Sequence, residues 1–536
     1  MDFDTLIKHG TVVDGTGQKP YKADVGITAG KIAAIGDLAQ ASGAYLIDAT
    51  NHVIAPGFID MHAHSDVTML DDPNGESKAY QGVTTEVSGN CGSTPYPAGI
   101  FGTGEELRKR QPTHPIPHSP TKWNWHDLDS WATYTEKAGI SLNIVPQIGH
   151  SSIKKASGAS EHRPANRDEL KMMKKLTAEA IEQGAVAVTN GLTGAHFSGA
   201  PTSEIIELVA TASQYKNAFY STHPRLAGGW HFKAVEEAVH IGKSTGVRVE
   251  YSHIAIIDSR HHGKAQEMAL IFEAGINDGV DIAFDIYPYL AGAATFKSLT
   301  PPWLESTSPD ETLKLLSNSA TRERAKNQMK EGWWGDMPWH FDKLIVVKVG
   351  QNGNREYLGQ SLEDIASSRN SNPLDTILDT IIEDPSIESV MHNRSEEDMR
   401  YFLSHRLSII GSDGTAISPD GIWKVTQPHP RIYGCHPRVL GKYVREQGVL
   451  SLEDAVYKMT GFPAERIGMK DRGTIKDKNV ADIVIFDPEN ISDVSTYQRP
   501  HQYPIGIKHV LVKGESIIKD GTHTGARPGR VLKRGE

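Results

Sequence analysis

Apolar strand-like segments alternate with longer helical patterns through most of the chain, between residues 56 and 467. A first apolar run, 53–59, is broken by Pro56 and Gly57. Seven further strand candidates are 84–87, 142–145, 185–188, 218–221, 247–251, 281–285 and 407–410, and the clearest helical patterns are 169–183 and 204–215. This alternation predicts an α/β fold with a parallel sheet, and about eight units predict a distorted (β/α)8 TIM-type barrel. An open doubly wound sheet is the alternative, but no Gly-x-Gly-x-x-Gly motif at a strand–helix turn supports it.

The two ends of the chain have a different pattern from the middle. Residues 1–55 and 468–536 contain short strand candidates separated by glycine-containing turns. Neither end can bury a sheet alone, so we predict that both ends pair into one small β-sandwich domain, with the barrel 56–467 between them. Residues at about 295–355 interrupt the alternation with Pro301-Pro302 and four tryptophans, and are predicted to form an insertion or lid.

Composition argues against several classes of partner. The 536 residues carry a formal net charge of -10 and no block of lysine and arginine, so neither nucleic acid nor an anionic membrane is an expected partner. No apolar run approaches the ~18 residues of a membrane span, and no apolar signal core stands at the N-terminus. Cys91 and Cys435 are the only cysteines, so a disulfide scaffold is excluded and a cytoplasmic location is expected. Association into a homo-oligomer stays open.

Candidate metal ligands follow the predicted barrel strands at the points where the strands end. His62 and His64 close the first strand, and side chains two residues apart lie on one face of a strand. The later strands are followed by Cys91, His223, His253 and Asp413. Active sites in such barrels lie at the C-terminal ends of the strands. Imidazole, thiolate and carboxylate are common ligands of divalent metals, so the pattern predicts a metal site on the barrel rim.

Each candidate also has a purely structural interpretation when it is taken alone. A cysteine after a strand is often a small buried apolar residue, and an aspartate between glycines is often a turn residue. The recurrence of such residues at corresponding strand ends favours the metal site over these interpretations. Cys435 has no such position and is expected to be structural. Four further histidines are expected to be loop residues or neighbours of the site: His150, His196, His261 and His262.

Several motifs resemble the amidohydrolase superfamily. The Pro-Gly-Phe-Ile-Asp-x-His-x-His run at 56–64, together with the β domain built from both ends, is similar to that superfamily as a whole. The Gly-Asn-Cys-Gly run at 89–92 is similar to the D-aminoacylase, or N-acyl-D-amino-acid deacylase, branch. Further similar runs are Thr-His-Pro-Arg at 222–225, Tyr-Pro-Tyr at 287–289, Gly-Ser-Asp-Gly at 411–414 and His-Pro-Arg at 429–431, so the resemblance extends over nearly the whole chain.

The resemblance implies a metal-dependent hydrolase with one tight zinc position and a candidate second, weaker one. Cys91, His223 and His253 would hold the tighter zinc. His62, His64 and Asp413 would form the weaker position, with Cys91 as the candidate bridge in place of the carboxylated lysine of many superfamily members. Asp413 would also be the general base and acid.

This set of residues suits the hydrolysis of a linear amide. Zinc lowers the pKa of a bound water to ~7 and polarises the scissile carbonyl. A carboxylate such as Asp413 can take a proton from that water and deliver it to the leaving amine. By resemblance, Tyr287 and Arg431 would bind the substrate carboxylate, and the expected substrates are small molecules: N-acyl-D-amino acids or related N-acyl compounds.

The chain departs from the family at one substrate-binding position. D-aminoacylases typically carry Ser-His-His-Lys where residues 252–255 here are Ser-His-Ile-Ala, and that lysine helps to bind the substrate carboxylate. Lys264, in the loop that follows, is another source of positive charge. A substrate with a blocked carboxylate, or with none, therefore stays an open alternative.

Two alternative functions also stay open. A cyclic-amide, lactone or carbamate hydrolase of the same superfamily would keep the barrel and the metal, although Cys91 in place of the bridging lysine argues against the cyclic-amide group. A non-catalytic metal-binding descendant would keep ligands without turnover, and the presence of both Asp413 and His253 argues against it.

Overall fold

The computed structural model describes residues 2–109, 119–193, 199–226, 231–305, 307–333, 335–350, 353–424 and 427–535. The strands in these ranges are β1 Asp2–Lys8, β2 Thr11–Val12, β3 Tyr21–Lys22, β4 Asp24–Thr28, β5 Lys31–Gly36, β6 Ser42–Asp48, β7 Val53–Pro56, β8 Phe58–Ala63, β9 Val83–Ser88, β10 Asn143–Pro146, β11 Ile148–Gly149, β12 Ala187–Gly191, β13 Phe219–His223, β14 Arg248–Tyr251, β15 Ile282–Ile286, β16 Gly292–Thr295, β17 Leu344–Lys348, β18 Glu388–Met391, β19 Ser408–Ile410, β20 Ile483–Phe486, β21 Ile507–Val512, β22 Glu515–Lys519 and β23 Thr522–His523.

The α-helices of the described ranges are Thr68–Asp71, Glu76–Ala79, Gly104–Arg108, Leu128–Ala138, His150–Ala156, Arg167–Glu182, Thr202–Ala212, His231–Thr245, Ala265–Asn277, Pro302–Glu305, Pro309–Leu316, Ser319–Met329, Leu362–Ser368, Pro373–Glu383, Glu396–Ser404, Arg431–Arg438, Leu452–Met459 and Gly461–Ile467. A π-helical segment, Val439–Glu446, continues the helix Arg431–Arg438. Short 3-10 turns are Gly99–Phe101, Ser259–His261, Phe296–Leu299, Phe341–Lys343, Arg355–Tyr357 and Gly421–Trp423.

The parallel strands of the middle region form the predicted (β/α)8 barrel. β8, β9 and β10 pair in order in one sheet, and β11, β12, β13, β14, β15 and β19 pair in order in a second. Since only Gln147 separates β10 from β11, these two segments occupy one strand position, and the barrel has eight positions. A parallel bridge between Ala63 and Gly414 joins the last position to the first. Register shifts between β8 and β9 distort the barrel, as predicted.

Burial and capping explain why these segments adopt their structures. β8, β9, β10, β12 and β15 are buried along their whole length, as expected for parallel strands covered on both faces. The helix Arg167–Glu182 begins at Asn166, whose side chain accepts hydrogen bonds from two backbone N–H groups, and Glu169 completes a capping box. The buried face of this helix is Met173, Leu176, Thr177, Ala180 and Ile181. The 3.6-residue period of its apolar residues therefore predicts this helix correctly.

Strands from both chain ends form a small β-sandwich. One sheet has the order β23-β22-β21-β20-β7-β2-β3, and within it Ile485 lies opposite Ile54. The other sheet, β5-β4-β1-β6, shares an apolar core with the first, to which both ends contribute, among them Ile7, Val25 and Leu511. β7 passes through Gly57 into barrel strand β8, and a Cβ at Gly57 would lie 2.2 Å from Thr84 Cγ2. Only glycine fits this connection.

The last residues leave the sandwich and return to the barrel. The backbone N–H of Ile144 in β10 donates to the carbonyl oxygen of Arg530 at 2.9 Å, and that of Leu532 donates to the carbonyl oxygen of Ile144 at 2.8 Å. The predicted C-terminal segment 468–536 is thus not confined to the β-sandwich. The domain boundaries at 55 and 468 stay predictions.

The insertion after β15 is longer than the predicted 295–355. It contains the antiparallel sheet β16-β18-β17 and therefore extends from about 292 to 391. The helices Leu362–Ser368 and Pro373–Glu383 pack with β17 in an apolar core of their own. These two helices have the same amphipathic pattern as barrel helices. The composition of the chain therefore changes where the insertion begins, but not where it ends. Of its four tryptophans, Trp334 lies outside the described residues.

Both cysteines are free thiols. Cys435 is buried, and its Sγ lies 3.6 Å from the carbonyl oxygen of Gly411, which agrees with a structural role. In the part of the chain that the structure describes, no helix combines the length and the apolar character needed to cross a membrane.

Candidate metal centre

His62 is held at the end of β8 by two aspartates. Its Nδ1 lies 3.1 Å from Asp285 Oδ2, and its backbone N–H donates to Asp60 Oδ1 at 3.2 Å. In the tautomer in which Nδ1–H donates to Asp285, the lone pair of Nε2 points away from Asp285, toward Cys91 Sγ at 3.3 Å. His62 is therefore oriented as a metal ligand, with a carboxylate behind the ring.

Asp413 lies between His62, His64 and Arg431. Its backbone N–H donates to the carbonyl oxygen of His62 at 2.8 Å, which fixes the loop after β19 to the end of β8. Its Oδ1 lies 3.0 Å from His64 Nε2 and 3.6 Å from His62 Nε2. Its Oδ2 lies 2.8 Å from Arg431 Nη1. With Cys91, these two histidines and Asp413 form a first cluster of candidate ligands.

A second cluster of candidate ligands contains Cys91, His223 and His253. Cys91 Sγ lies 3.6 Å from His253 Nε2, and that nitrogen lies 2.8 Å from His223 Nδ1. The backbone N–H of His253 donates to Asp285 Oδ1 at 2.8 Å, so Asp285 contacts a residue of each cluster. Within each cluster, the ligand atoms lie within 4.8 Å of one another, and Cys91 belongs to both. The structure thus brings all six predicted ligands together.

Three of these six residues have a left-handed backbone. Their φ angles are 55° at Cys91, 37° at His253 and 49° at Asp413. A residue with a Cβ in this region typically stores about 1–3 kcal/mol of strain, and such residues cluster at functional sites. The other non-glycine residues with positive φ lie in turns outside the site, for example Ala29 and Asn51. The strain therefore supports a functional role for this rim.

Three imidazoles of the site, those of His62, His223 and His253, have the protonation state that metal binding requires. Burial lowers the pKa of His62 and of His253 to about 3. Burial, together with the neighbouring His253 ring, lowers the pKa of His223 well below its ordinary value. All three rings are neutral at pH 7 and can donate a lone pair. Neutral imidazoles around a shared thiol and a carboxylate are a donor set that fits zinc.

The charges at Asp413 and Cys91 depend on their neighbours. Burial raises the pKa of Asp413, but the charge of Arg431 and the hydrogen bond from His64 outweigh burial, so its pKa stays well below the usual range. Burial raises the pKa of the Cys91 thiol well above its ordinary value, and the charges of Asp413 and Asp285 add to this. A thiolate at this position therefore requires a cation beside it.

A buried charge cluster supports the two strand ends. Lys78 Nζ lies 2.7 Å from Asp60 Oδ2, 3.0 Å from Glu86 Oε1 and 2.6 Å from Ser412 Oγ, and all four residues are buried. Asp60 Oδ1 also accepts the backbone N–H of Ser412 at 2.8 Å, besides that of His62. The cluster thereby joins the end of β8 to the loop after β19. Buried ion pairs often add little net free energy of folding. The main contribution of this cluster is therefore to fix the position of the β8 end relative to the loop after β19.

A cavity of about 420 Å³ opens onto the first cluster. Its polar lining includes His64, Cys91, Asp413 and Arg431, and its apolar lining includes Ile417, Trp423 and Ile432. A volume of this size suits a small molecule, and a mostly apolar cavity with a few converging polar groups is typical of ligand sites. Tyr287, the other predicted substrate-binding residue, contacts Arg431, with the Arg431 Cζ 4.5 Å from the centre of its ring.

Of the four other histidines considered from the sequence, the three that the structure describes belong to neither cluster. His150 Nε2 lies 2.9 Å from Glu204 Oε1 in a separate buried group. His261 and His262 lie in the segment between β14 and the helix Ala265–Asn277. His196 lies outside the described residues.

Asp285 is the site residue that sequence reasoning missed. It contacts both His62 and His253, and it lies in β15 between Phe284 and Ile286. A signal was present, because a carboxylate inside an apolar buried strand costs free energy unless a polar partner satisfies it. The sequence alone could not show which residues that partner would be.

Two segments of the chain match the profile of a protein family. The profile of the amidohydrolase family matches residues 45–212 and 402–518. These two segments carry His62, His64, Cys91 and Asp413, and the region between them carries the insertion. The match therefore covers both the start and the end of the barrel.

Three similar proteins match over nearly their full length. N-acyl-D-aspartate deacylase of Alcaligenes xylosoxydans xylosoxydans is 31% identical, with 99% of this chain and 95% of the relative covered. The crystal structure of N-acyl-D-glutamate deacylase from Bordetella bronchiseptica, complexed with zinc and a phosphonate that mimics the tetrahedral intermediate, has a TM-score of 0.82 at 26% identity, with 99% of this chain and 100% of that chain covered. A D-aminoacylase structure from work on its binuclear metal centre has a TM-score of 0.79 at 29% identity, with the same coverage.

Proposed function

Because the chain belongs to the amidohydrolase family, and within it to the D-aminoacylase group, we propose that it is a zinc-dependent hydrolase of the linear amide bond in N-acyl-D-amino acids. The observation that carries this proposal is the position of Cys91, which belongs to both ligand clusters at the C-terminal ends of the barrel strands. The full-length relatives named for deacylation of N-acyl-D-aspartate and N-acyl-D-glutamate support the substrate class.

Two zinc positions are proposed, one for each cluster. Cys91, His223 and His253 would hold the tighter ion, because thiolate and imidazole are the softer zinc ligands of the set. His62, His64 and Asp413 would hold the weaker one, with Cys91 as the shared ligand. When bound, zinc lowers the pKa of a water molecule to ~7 and polarises the scissile carbonyl.

Asp413 is the proposed general base and acid. Arg431 holds its Oδ2 at 2.8 Å, which leaves Oδ1, the oxygen that faces the histidines, to take up a proton. Its low pKa keeps the carboxylate ionised before the reaction. After it has taken a proton from the attacking water, the same oxygen can deliver it to the leaving nitrogen, which departs poorly unless it is protonated.

Tyr287 and Arg431 are the proposed contacts for the substrate carboxylate. Their side chains touch, and Arg431 also lines the cavity beside Asp413. A guanidinium can bind a carboxylate through two parallel hydrogen bonds, which fixes the orientation of the substrate. Arg431 would then serve two carboxylates, that of Asp413 and that of the substrate.

Location and association are also proposals. Two free cysteines and no disulfide agree with a reducing cytoplasm. Homo-oligomer formation stays a prediction.

The proposal is tested by the type of bond that the zinc-loaded protein cleaves. We expect hydrolysis of N-acetyl-D-amino acids with aliphatic, aromatic and acidic side chains. A matched set should contain 5-substituted hydantoins, a lactone and a carbamate built on the same side chains. Cleavage of the hydantoins, the lactone or the carbamate alone would contradict the proposed linear amide bond. The enzyme would then act on another type of bond cleaved in this superfamily. Zinc binding without any turnover would indicate a non-catalytic descendant.

A further inference from the structure

The segment after β14 that contains His253 lacks the lysine that the resemblance to D-aminoacylases implies there. Ile254 and Ala255 follow His253, and the backbone N–H of Ile254 donates to the carbonyl oxygen of Asp285 at 2.8 Å. Ile254 is 1% exposed, so an apolar side chain fills this place beside the site. Lys264, the other cation considered, is the N-cap of the helix Ala265–Asn277. A carboxylate-binding charge must therefore come from elsewhere or be absent.

Arg394 comes to this place from a different part of the chain. It lies just after β18, the last strand of the insertion, and its side chain lines a small cleft together with Ile254 and Ala255. Its Cζ lies 4.1 Å from the centre of the Tyr287 ring, and its Nη2 donates to the Tyr287 hydroxyl. Arg431 contacts the same ring at 4.5 Å. Two guanidinium groups thus meet at one phenol beside the metal centre.

The guanidinium of Arg394 is not fully partnered. Its Nε and Nη1 are shielded from solvent, and among the described residues no hydrogen-bond acceptor contacts either atom. No ion pair to a described carboxylate involves it, whereas Arg431 is paired with Asp413 at 2.8 Å. Buried donors of a charged group are costly to leave unpaired, so the arrangement favours an anionic ligand.

We propose that Arg394 binds the α-carboxylate of the substrate together with Tyr287 and Arg431, and so takes the place of the lysine that the resemblance to D-aminoacylases implies after His253. This inference rests on the proposed function and adds a residue to it. Guanidinium is suited to the role because its planar set of donors matches a carboxylate. The charge that makes a free carboxylate acceptable would then come from Arg431, after β19, together with Arg394, just after β18 of the insertion.

The test compares free acids with their amides in the Arg394→Met variant, which keeps the length of the side chain and removes the charge. We expect kcat/KM for an N-acetyl-D-amino acid to fall by about 10–100-fold, the loss of one or two hydrogen bonds to a charged group. For the same compound with an amidated carboxylate, the change should be less than about threefold. The affinity of this variant for the D-amino acid product, measured by calorimetry, should fall in parallel with its affinity for the substrate.

A rescue and a control make the test specific. Ala255→Lys in the Arg394→Met background should restore part of the activity on free acids and leave the amides unaffected. Arg400→Met is the control, because Arg400 lies on the nearby helix Glu396–Ser404 and its only described ion pair is with Glu396 at 3.7 Å. It should change neither substrate series. Melting temperatures of all variants would show whether they fold.

The outcomes separate this inference from the proposed function. Equal losses on acids and amides, or no loss on acids, would overturn the role of Arg394 while the deacylase activity of the unchanged enzyme stands. Failure of the unchanged enzyme to hydrolyse any free N-acyl-D-amino acid would overturn the proposed function, and the Arg394 assignment with it. Failure of the rescue beside a selective loss on acids would contradict the replacement of the lysine.

Discussion

Replacement of Asp413 by asparagine is expected to reduce turnover by about 10²–10⁴-fold, the usual contribution of a positioned general base and acid. The amide cannot accept the proton that Oδ1 is proposed to take, yet it keeps the size of the side chain. Asparagine also tolerates the left-handed backbone at this position, where φ is 49°. The tight zinc should remain bound, since Cys91, His223 and His253 are untouched. The measurement is kcat on zinc-loaded protein, with metal content determined in parallel.

Asp168→Asn is the matched control for this prediction. Asp168 lies exposed in the first turn of the helix Arg167–Glu182, so the same chemical change there should leave turnover unaltered. Near-normal turnover in the Asp413→Asn variant would remove Asp413 as the base. Loss of all zinc from this variant would mean that Asp413 acts mainly as a ligand.

Replacement of Cys91 by alanine is expected to abolish tight zinc binding and, with it, turnover. Cys91 is the residue that both clusters share, and its thiolate is the softest of the ligands. Loss of an outer-shell partner alone typically weakens metal binding by about 10–100-fold, so loss of a direct ligand should cost more. Zinc content after dialysis, measured by elemental analysis, should fall well below one equivalent.

Cys435→Ala provides the control for Cys91. Cys435 is buried, and its Sγ contacts the carbonyl oxygen of Gly411, but it belongs to neither cluster. This variant should keep its zinc, even if the smaller side chain at this buried position lowers the free energy of unfolding. Unchanged zinc stoichiometry in the Cys91→Ala variant would contradict the assignment of the tight position.

The barrel could be predicted because its signals are local. Each buried parallel strand is a short apolar run, and each helix such as Arg167–Glu182 carries its own period and cap. The ligand candidates were visible for the same reason, since His62, Cys91 and Asp413 lie at or shortly after the ends of strands that must meet on one rim. Their roles as ligands and base stay proposals until metal and turnover are measured.

Two features that depend on long-range contacts could not be predicted. Asp285 orients His62 across the barrel, 223 residues away along the chain, and no local pattern encodes that pairing. Arg394 contacts Tyr287 from a position just after β18, the last strand of the insertion. The length and the internal sheet of the insertion were not recognised from composition. The insertion also places Ala293, Lys348 and Glu388 in the wall of the cavity. We therefore expect residues outside the barrel to contribute to selectivity for the substrate side chain.

Deacylation of D-amino acid derivatives is best tested by kcat/KM of the zinc-loaded enzyme for N-acetyl-D- and N-acetyl-L-amino acids that share a side chain. We expect a preference for the D-form of at least about 100-fold, because exchange of two substituents at the α-carbon prevents simultaneous contact with the metal centre and the arginines proposed to bind the carboxylate. Equal turnover of both forms, or turnover of the L-form alone, would contradict it.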